Sequence, residues 1–323
     1  MRLRHRAGTV GDFDEFYRTF FHKDVDDQAL RAIIECEWRI LLDNPNTMTM
    51  FVEDEHRAGG DRFMACGQGV FVSEAFARRA CDDLPPWINA HVTRVLPDGS
   101  LPLLNLDGVA RANAGEGLIG LMTRWMMRDG GRQEDAINLR DYLHRAFEKF
   151  SRGYNFKALL IESTGVAAQH EAMRAGFRVV NDYSEYFQKA APSPESQPCL
   201  LRLTREEASA GAGTGSLLSY AFAYTPPLCF FTRRQQEVLH YAMQGCSDKI
   251  IATRLRITVH AVRQHWKTMY QRVEDHLPDL LPAGADGKRG AEKQRVLLHY
   301  LREHPEELRP YASPRLCREK QIA

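Results

Sequence analysis

Between Gly245 and Lys267 the sequence reads GCSDKIIATRLRITVHAVRQHWK, with five Lys or Arg residues and one acid, Asp248. Lys249, Arg263 and Lys267 are cations that suit phosphate oxygens. His260, Gln264 and His265 can hydrogen-bond phosphates or base edges, Thr258 adds a hydroxyl, and Val259 adds an apolar contact. Over Phe231–Arg272 there are eight Lys+Arg against two Asp+Glu. From Leu228 to Ala323 the counts are 17 and 11, a net of +6, and residues 1–227 hold 26 and 31, a net of −5. The formal +1 of the whole chain therefore hides a basic segment. Such a segment is an electrostatic footprint for a polyanion.

Those side chains need a scaffold that buries one face and leaves the other free. TRRQQEVLHYAMQG predicts a helix capped by Thr232, with Val238, Leu239, Ala242 and Met243 as its apolar stripe and Gly245 at its C-cap. Ser247 stands to cap a second helix with Ile251, Ala252 and Leu255 inward, and the small Ala252 lets two helices approach closely. Leu255–Thr258 forms a tight turn, and Thr258 caps a third helix with the stripe Val262, Trp266, Met269 and Val273. His260, Arg263, Gln264 and Lys267 fall off that stripe. This is the helix-turn-helix pattern, in which the third helix fits the major groove. A basic, solvated helix of an enzyme domain is the competing explanation.

From Phe231 to Val273 the segment resembles, without a gap, the LuxR-type helix-turn-helix of bacterial transcription regulators. Thr232, Arg234, Glu237, Val238 and Leu239 fit the opening of the family pattern. Gly245, Ser247, Lys249, Ile251, Ala252, Leu255 and Ile257 fit its centre, and Val262 and His265 fit its recognition helix, where Arg263 replaces a lysine. Gln235, Asp248, Ile250 and Ala261 depart from it. The resemblance implies that Lys249, Arg263, His265 and Lys267 touch the DNA backbone, and that Val259 and His260 face bases. Downstream, Val296, Leu297, Tyr300 and Leu301 form another stripe that ends before Pro305. In the family a fourth helix often dimerises; packing against its own domain is the alternative use.

The first two hundred residues alternate strand and helix signals. RLRHRA, TMTMFVED, FMACGQGVFV, LIGLMTRWMM, KALLIES, FRVVNDYSEYF and PCLLRLT predict strands. DFDEFYRTFF, capped by Asp12, predicts a helix, as do NLRDYLHRAFEKFSRGY and VAAQHEAMRAG. A mixed sheet with helices follows, giving an α+β chain with a small all-α domain at its end. The order of elements, with Ala168 and the Gly176-Phe177 step, resembles the GNAT acetyltransferase fold. The resemblance implies a CoA-binding pattern of Arg or Gln, two residues, Gly, one residue, Gly or Ala. Arg132 fits, but Asp135 and Ile137 occupy the small-residue places, and an acid opposes an anion site at a helix start. Ala172 stands where the family has a tyrosine general acid. In an acyltransferase, Tyr183 or Tyr186 would be the acid and Glu162 the base. The glycines of ANAGEGLIG precede a strand and signal little. The expected domain is thus GNAT-like and senses a ligand or is structural.

The remaining composition is ordinary: 44% hydrophobic and 26% charged over 323 residues, enough for two domains. The expected division is 1–205 for the GNAT-like domain, 206–227 for a linker, 228–310 for the DNA-binding domain with its extra helix, and 311–323 for a tail. A loop, EDHLPDLLPAGADG, separates the third and last helices. Seven scattered cysteines without a C-x-x-C pair predict free thiols in a reducing cytosol and no zinc site. MRLRHRAG lacks a signal-peptide apolar core, and LIGLMTRWMM is short and broken by Arg124. A phosphorelay receiver's aspartates and lysine are missing, as is the tryptophan–tyrosine–aspartate–tryptophan signature of an acyl-homoserine-lactone domain. The expected protein is cytoplasmic and non-catalytic, with no cofactor. Its expected partners are double-stranded DNA, a second copy in a homodimer, and a small molecule at the N-terminal domain, without a membrane.

Overall fold

The computed structural model describes residues 1–21, 27–96, 99–128, 133–187, 193–210, 217–282 and 289–312. Alternating apolar segments form one mixed sheet. Its strands are β1 (Leu3–Ala7), β2 (Met48–Asp54), β3 (Phe63–Val72), β4 (Leu118–Met127), β5 (Phe156–Thr164), β6 (Arg178–Asn181) and β7 (Pro198–Thr204). Their spatial order is β1-β2-β3-β4-β5-β7-β6. Neighbours are antiparallel, except that β4 and β5 run parallel. The β4–β5 register runs from Leu118 opposite Phe156 to Met122 opposite Ile161. Beyond it the two strands part, and the gap becomes important below.

The helices of this region are α1 (Phe13–Phe20), α2 (Gln28–Asp43), α3 (Glu74–Asp82), α4 (Ile88–Val92), α5 (Leu106–Ala114), α6 (Gln133–Ser151), α7 (Val166–Arg174) and α8 (Arg205–Ala210). Period-2 side chains distribute β2 between two cores. Phe51 joins Phe16 and Trp38 under α1 and α2, while Met50 and Val52 join Leu139, Leu143 and Ala146 of α6. A third cluster packs α3 and α4 against Val70, Leu121, Leu160 and Leu200.

Several sequence expectations change. Asp12 sits at the start of α1 but its carboxylate does not cap the helix. It accepts instead from Arg6 (2.6 and 2.9 Å) and from the Thr9 backbone and hydroxyl (2.7 and 2.8 Å). The stretch 177–187 holds only the four-residue β6, because Asn181 accepts the Tyr183 N–H at 2.9 Å and Tyr183 turns left-handed (φ 55°). The seam 206–227 is not wholly a connector. It contains part of α8 and a 3-10 turn at Leu217–Phe222, and Ala208, Leu218, Ala221 and Phe222 are buried. The chain divides instead near Ala223, into one unit of Met1–Ser151 with Asn155–Ala223 and a second of Arg152–Tyr154 with Tyr224–Ala323.

In the second unit, α9 (Arg233–Met243), α10 (Asp248–Leu255), α11 (Val259–His276) and α12 (Arg289–Glu303) share one core. The helix α11 continues through Glu274–His276, so the expected loop begins only at Leu277. Leu297 and Leu301 of α12 are buried in the core with Val238, Ile251, Val262 and Met269. Of the two uses considered for the last stripe, packing within its own unit is the one observed. Among the described residues no helix is long and apolar enough to cross a membrane, and no group of His, Cys, Asp or Glu is arranged to hold a metal.

Candidate functional site

Capping fixes the ends of α9 and α11. The Thr232 hydroxyl accepts the Gln235 N–H (3.4 Å), and the Gln235 side chain accepts the Thr232 N–H (2.9 Å), closing a capping box. Gln235 is buried and also donates to the Thr268 hydroxyl at 3.0 Å, tying α9 to α11. The amide thus caps and bridges at once at a position where an acid is common in the resembled family. Gly245 (φ 80°) ends α9, with its N–H on Ala242 and the Cys246 N–H on Tyr241 (2.9 and 3.1 Å). Arg256 takes the left-handed conformation after α10 (φ 54°), and the Ile257 N–H returns to the Ala252 carbonyl at 3.0 Å. Thr258 then caps α11 through the Ala261 N–H at 3.1 Å.

Ser247 occupies the N-cap of α10 but its side chain makes no capping bond. The neighbouring Asp248 carboxylate instead accepts the Trp266 indole N–H at 3.2 Å, bridging α10 to α11. The stripe Val262, Trp266, Met269 and Val273 is buried, as its spacing requires. Thr258, His260, Arg263, Gln264 and Lys267 are exposed on the opposite side, and Lys249 is exposed on α10. Val259 and His265 are half-buried, and Val259 packs against the core. Arg263 approaches Asp248 only at 4.0 Å with its side chain 74% exposed. Gln264 contacts the His260 ring at 3.4 Å. No ion pair engages Lys249 or Lys267 among the described residues. This face can donate to phosphate and to base edges, with α11 held rigidly behind it.

The first unit presents a cavity of about 680 Å³ where β4 and β5 part. Met122–Met127 of β4 with the following Arg128, and Ile161–Thr164 of β5, form its walls, together with Leu139, His144 and Phe147 of α6 and Ala168 and Ala172 of α7. Glu162 faces this space but is occupied. It accepts the N–H groups of Trp87 (2.9 Å) and Ile88 (3.2 and 3.3 Å) at the start of α4, and the Tyr183 hydroxyl at 2.8 Å. Burial raises its carboxyl above the usual range, although these bonds pull it down. Burial, and then the charge of Glu162, push the Tyr183 phenol upward. Tyr186 is exposed and lies against Trp87 and Phe187. Ala172, at the expected acid position, offers a methyl group to the cavity wall. Asp135 stands in the first turn of α6; Arg132 lies outside the described residues.

Sequence reasoning missed the polar groups that line this cavity with open valences. The Arg124 Nε, Asn89 Oδ1 and His144 Nδ1 atoms are buried without a hydrogen-bond partner among the described residues. The available signal was Arg124 itself, an arginine inside the most apolar-looking run of the chain.

Residues 230–276 match the family described as "GerE: Bacterial regulatory proteins, luxR family". That match implies DNA binding by the second unit and suggests a role in transcription regulation. No curated protein matches the chain. Among solved structures, the chain is similar to the C-terminal condensation domain of Ebony in complex with β-alanyl-dopamine. Identity there is 12%, over 63% of this chain and 99% of that one, with a TM-score of 0.37. It is also similar to two Aedes aegypti structures. One is named arylalkylamine N-acetyltransferase 7 (15% identity, 62% and 87% covered, TM-score 0.39) and the other arylalkylamine N-acetyltransferase 2 (9%, 63% and 99%, 0.36). Likenesses at this level carry no argument about activity.

Proposed function

We propose that the chain is a sequence-specific transcription regulator whose second unit docks α11 in the major groove and whose first unit senses a small molecule. The observation that carries the reading is the exposed set of Lys249, His260, Arg263, Gln264 and Lys267 opposite a buried stripe, within the segment that matches the regulator family. Thr258, Val259 and His265 complete the proposed contact set at the start and flank of α11. A dimer on paired half-sites is part of the proposal. Its interface would not use Leu297 and Leu301, which are already buried within their own unit.

Genome-wide mapping of bound sites, followed by anisotropy titrations on the recovered duplexes, tests this reading. The expected result is binding to the recovered sites that is at least about a thousandfold tighter than to random duplex at physiological salt. Equal affinity for both would reject sequence-specific regulation.

Acyl transfer is the second reading, motivated by the cavity between β4 and β5. Against it, Glu162, the base such a reading would use, is engaged in capping α4, and Ala172 carries no acidic group. Heat on titration with acetyl-CoA, together with acetyl transfer to an amine, would favour it over the sensing role.

A further inference from the structure

Three buried polar atoms that line the cavity without a hydrogen-bond partner among the described residues describe what it would hold. Arg124 is 7% exposed, and among the described residues it makes one long hydrogen bond, from Nη2 to Glu37 Oε2 at 3.4 Å. Its Nε–H is a buried donor without an acceptor among the described residues. A guanidinium presents its donors as a fork that fits a carboxylate; here the group lies over the Phe16 ring at 5.6 Å, Nη2 makes the one long contact, and Nε stands open. Asn89 gives its NH₂ to the Thr123 carbonyl at 2.7 Å, so its oxygen is the acceptor that remains. His144 Nδ1 is the third open atom, and burial lowers the pKa of this imidazole, which keeps the ring neutral at pH 7. The other charges of the lining are engaged: Arg128 with Asp61 (3.0 Å), Arg140 with Glu171 (3.0 Å), and Glu162 as described. Beside Thr123, Ser163 and Thr164, the rest of the wall is largely apolar, including Met122, Met126, Trp125, Phe147 and Phe177.

Buried polar groups without partners are costly, so a ligand that satisfies them gains from each. We infer that the cavity binds a small apolar carboxylate that also carries an N–H or O–H donor, such as an N-acyl aromatic amino acid or an aryl hydroxy acid. Its carboxylate meets the Arg124 fork, its donor meets Asn89 Oδ1, and its apolar body fills the Met- and aromatic-lined space. His144, neutral, accepts or donates according to its tautomer. This inference rests on the proposed sensing role of the first unit and assigns the chemical class of what is sensed.

The test uses the full chain and calorimetric titration with N-acetylphenylalanine, N-octanoylphenylalanine and 3-phenyllactate, each beside its carboxamide. At least one acid should bind saturably, about tenfold or more tighter than its amide, because a charge-assisted pair replaces a neutral one. Arg124→Met alone leaves Glu37 buried and unpaired, so the Glu37→Met/Arg124→Met double variant is the cleaner comparison. It should fold, retain amide binding, and lose the preference for the acid. Equal binding of acid and amide to the natural protein, no binding by any probe, or an acid preference that survives in the double variant would each overturn the assignment. The two proposals fail separately. Acids that bind without changing DNA affinity leave the cavity assignment standing and remove the sensing role. An effect of acetyl-CoA on DNA affinity, with no binding of the acids, does the reverse.

Discussion

Glu307 closes the DNA-binding unit, and removing its carboxylate should loosen that unit without touching the basic face. The side chain is fully buried (0% exposed) in the 3-10 turn Pro305–Leu308 that follows α12. Its oxygens accept the Leu228 N–H at 2.9 Å, the Cys229 N–H at 3.0 Å and the Tyr300 hydroxyl at 3.1 Å. The Glu307 carbonyl of the turn and the Arg309 carbonyl just after it accept from the Gln236 side chain at 3.3 and 2.8 Å. One carboxylate therefore fastens the entry to α9 to the exit of α12. Glu307→Ala strands two backbone donors and one hydroxyl. At about 1–3 kcal/mol for each buried donor left unpaired, and with water reaching some of them, the loss is roughly 3–6 kcal/mol. That is a large share of the total for a domain of this kind.

Hydrogen exchange of the intact chain, read on peptides from α9 and α12, measures the loss within this unit. A deficit of about 3–6 kcal/mol accelerates exchange through unit opening by roughly a hundredfold to ten-thousandfold, at tenfold per 1.4 kcal/mol. Glu307→Gln keeps one acceptor oxygen and should fall between the alanine variant and the natural protein. Acceleration by less than about tenfold in the alanine variant would show that the carboxylate is not the fastening and would refute the reasoning.

Further outcomes are expected. Lys267→Ala should weaken binding about equally on all duplexes and lower the salt slope by ~1 per bound chain, and an unchanged slope places Lys267 away from phosphate. Val262→Asp buries an unpaired charge in the centre of the second unit and should cost at least about 3 kcal/mol; natural melting behaviour would show that the stripe does not hold the unit together. Asp248→Asn keeps an oxygen for the Trp266 indole while removing a negative charge beside Arg263, so DNA affinity should rise about two- to fivefold at low salt and less at high salt. In the first unit, burial pushes the Asp12 and Glu53 carboxyls up, but bonds from Arg6 to both, from Thr9 to Asp12 and from Arg4 to Glu53 bring them below their ordinary values. Their stabilisation is therefore complete above about pH 5 and lost as pH falls through the depressed folded values, and exchange of β1–β2 peptides across an acid series should show this dependence reduced in Arg6→Met, where the Thr9 and Arg4 bonds remain.

Much of the second unit is written locally. Thr232, Gly245, Thr258 and the stripe of α11 each act within a turn or two, and each stands where its type and spacing predict. Ser247 shows the limit: a residue suited to capping yields when Asp248 beside it finds Trp266, 18 positions away. In the first unit the strands were legible because apolar runs between turn residues are strong signals. The helix α2 was there to be read in Ile34, Trp38 and Leu41, at spacings of four and three. The helix α4 was not, since Trp87 enters it left-handed and its first amides are satisfied by Glu162, some 75 positions along the chain. The cavity was illegible for the same reason: it arises where two strands stop pairing, and no local pattern marks that point. Arg124 was visible as a charge in an apolar strand, but its unmet Nε donor emerges only when α2 brings Glu37 to the Nη2 side.

The acids of this chain explain why its cations divide as they do. Glu53 sits between Arg4 and Arg6, Glu162 holds the amides of α4, and Glu307 holds those at the entry to α9. A carboxylate committed to buried donors cannot swing out to neutralise a surface cation. In the second unit, Glu237 reaches Arg233 and Arg234, and Glu274 reaches Lys293. Lys249 and Lys267 have no such neighbour among the described residues, and Arg263 has one only at 4.0 Å. Like charges left together on one face repel, and short ion pairs with nearby acids would relieve the strain at small cost. On the proposed reading, a face that forgoes that relief while its helix is capped, bridged and buried behind it takes its counter-charge from outside, and a row of phosphates would supply one at regular spacing.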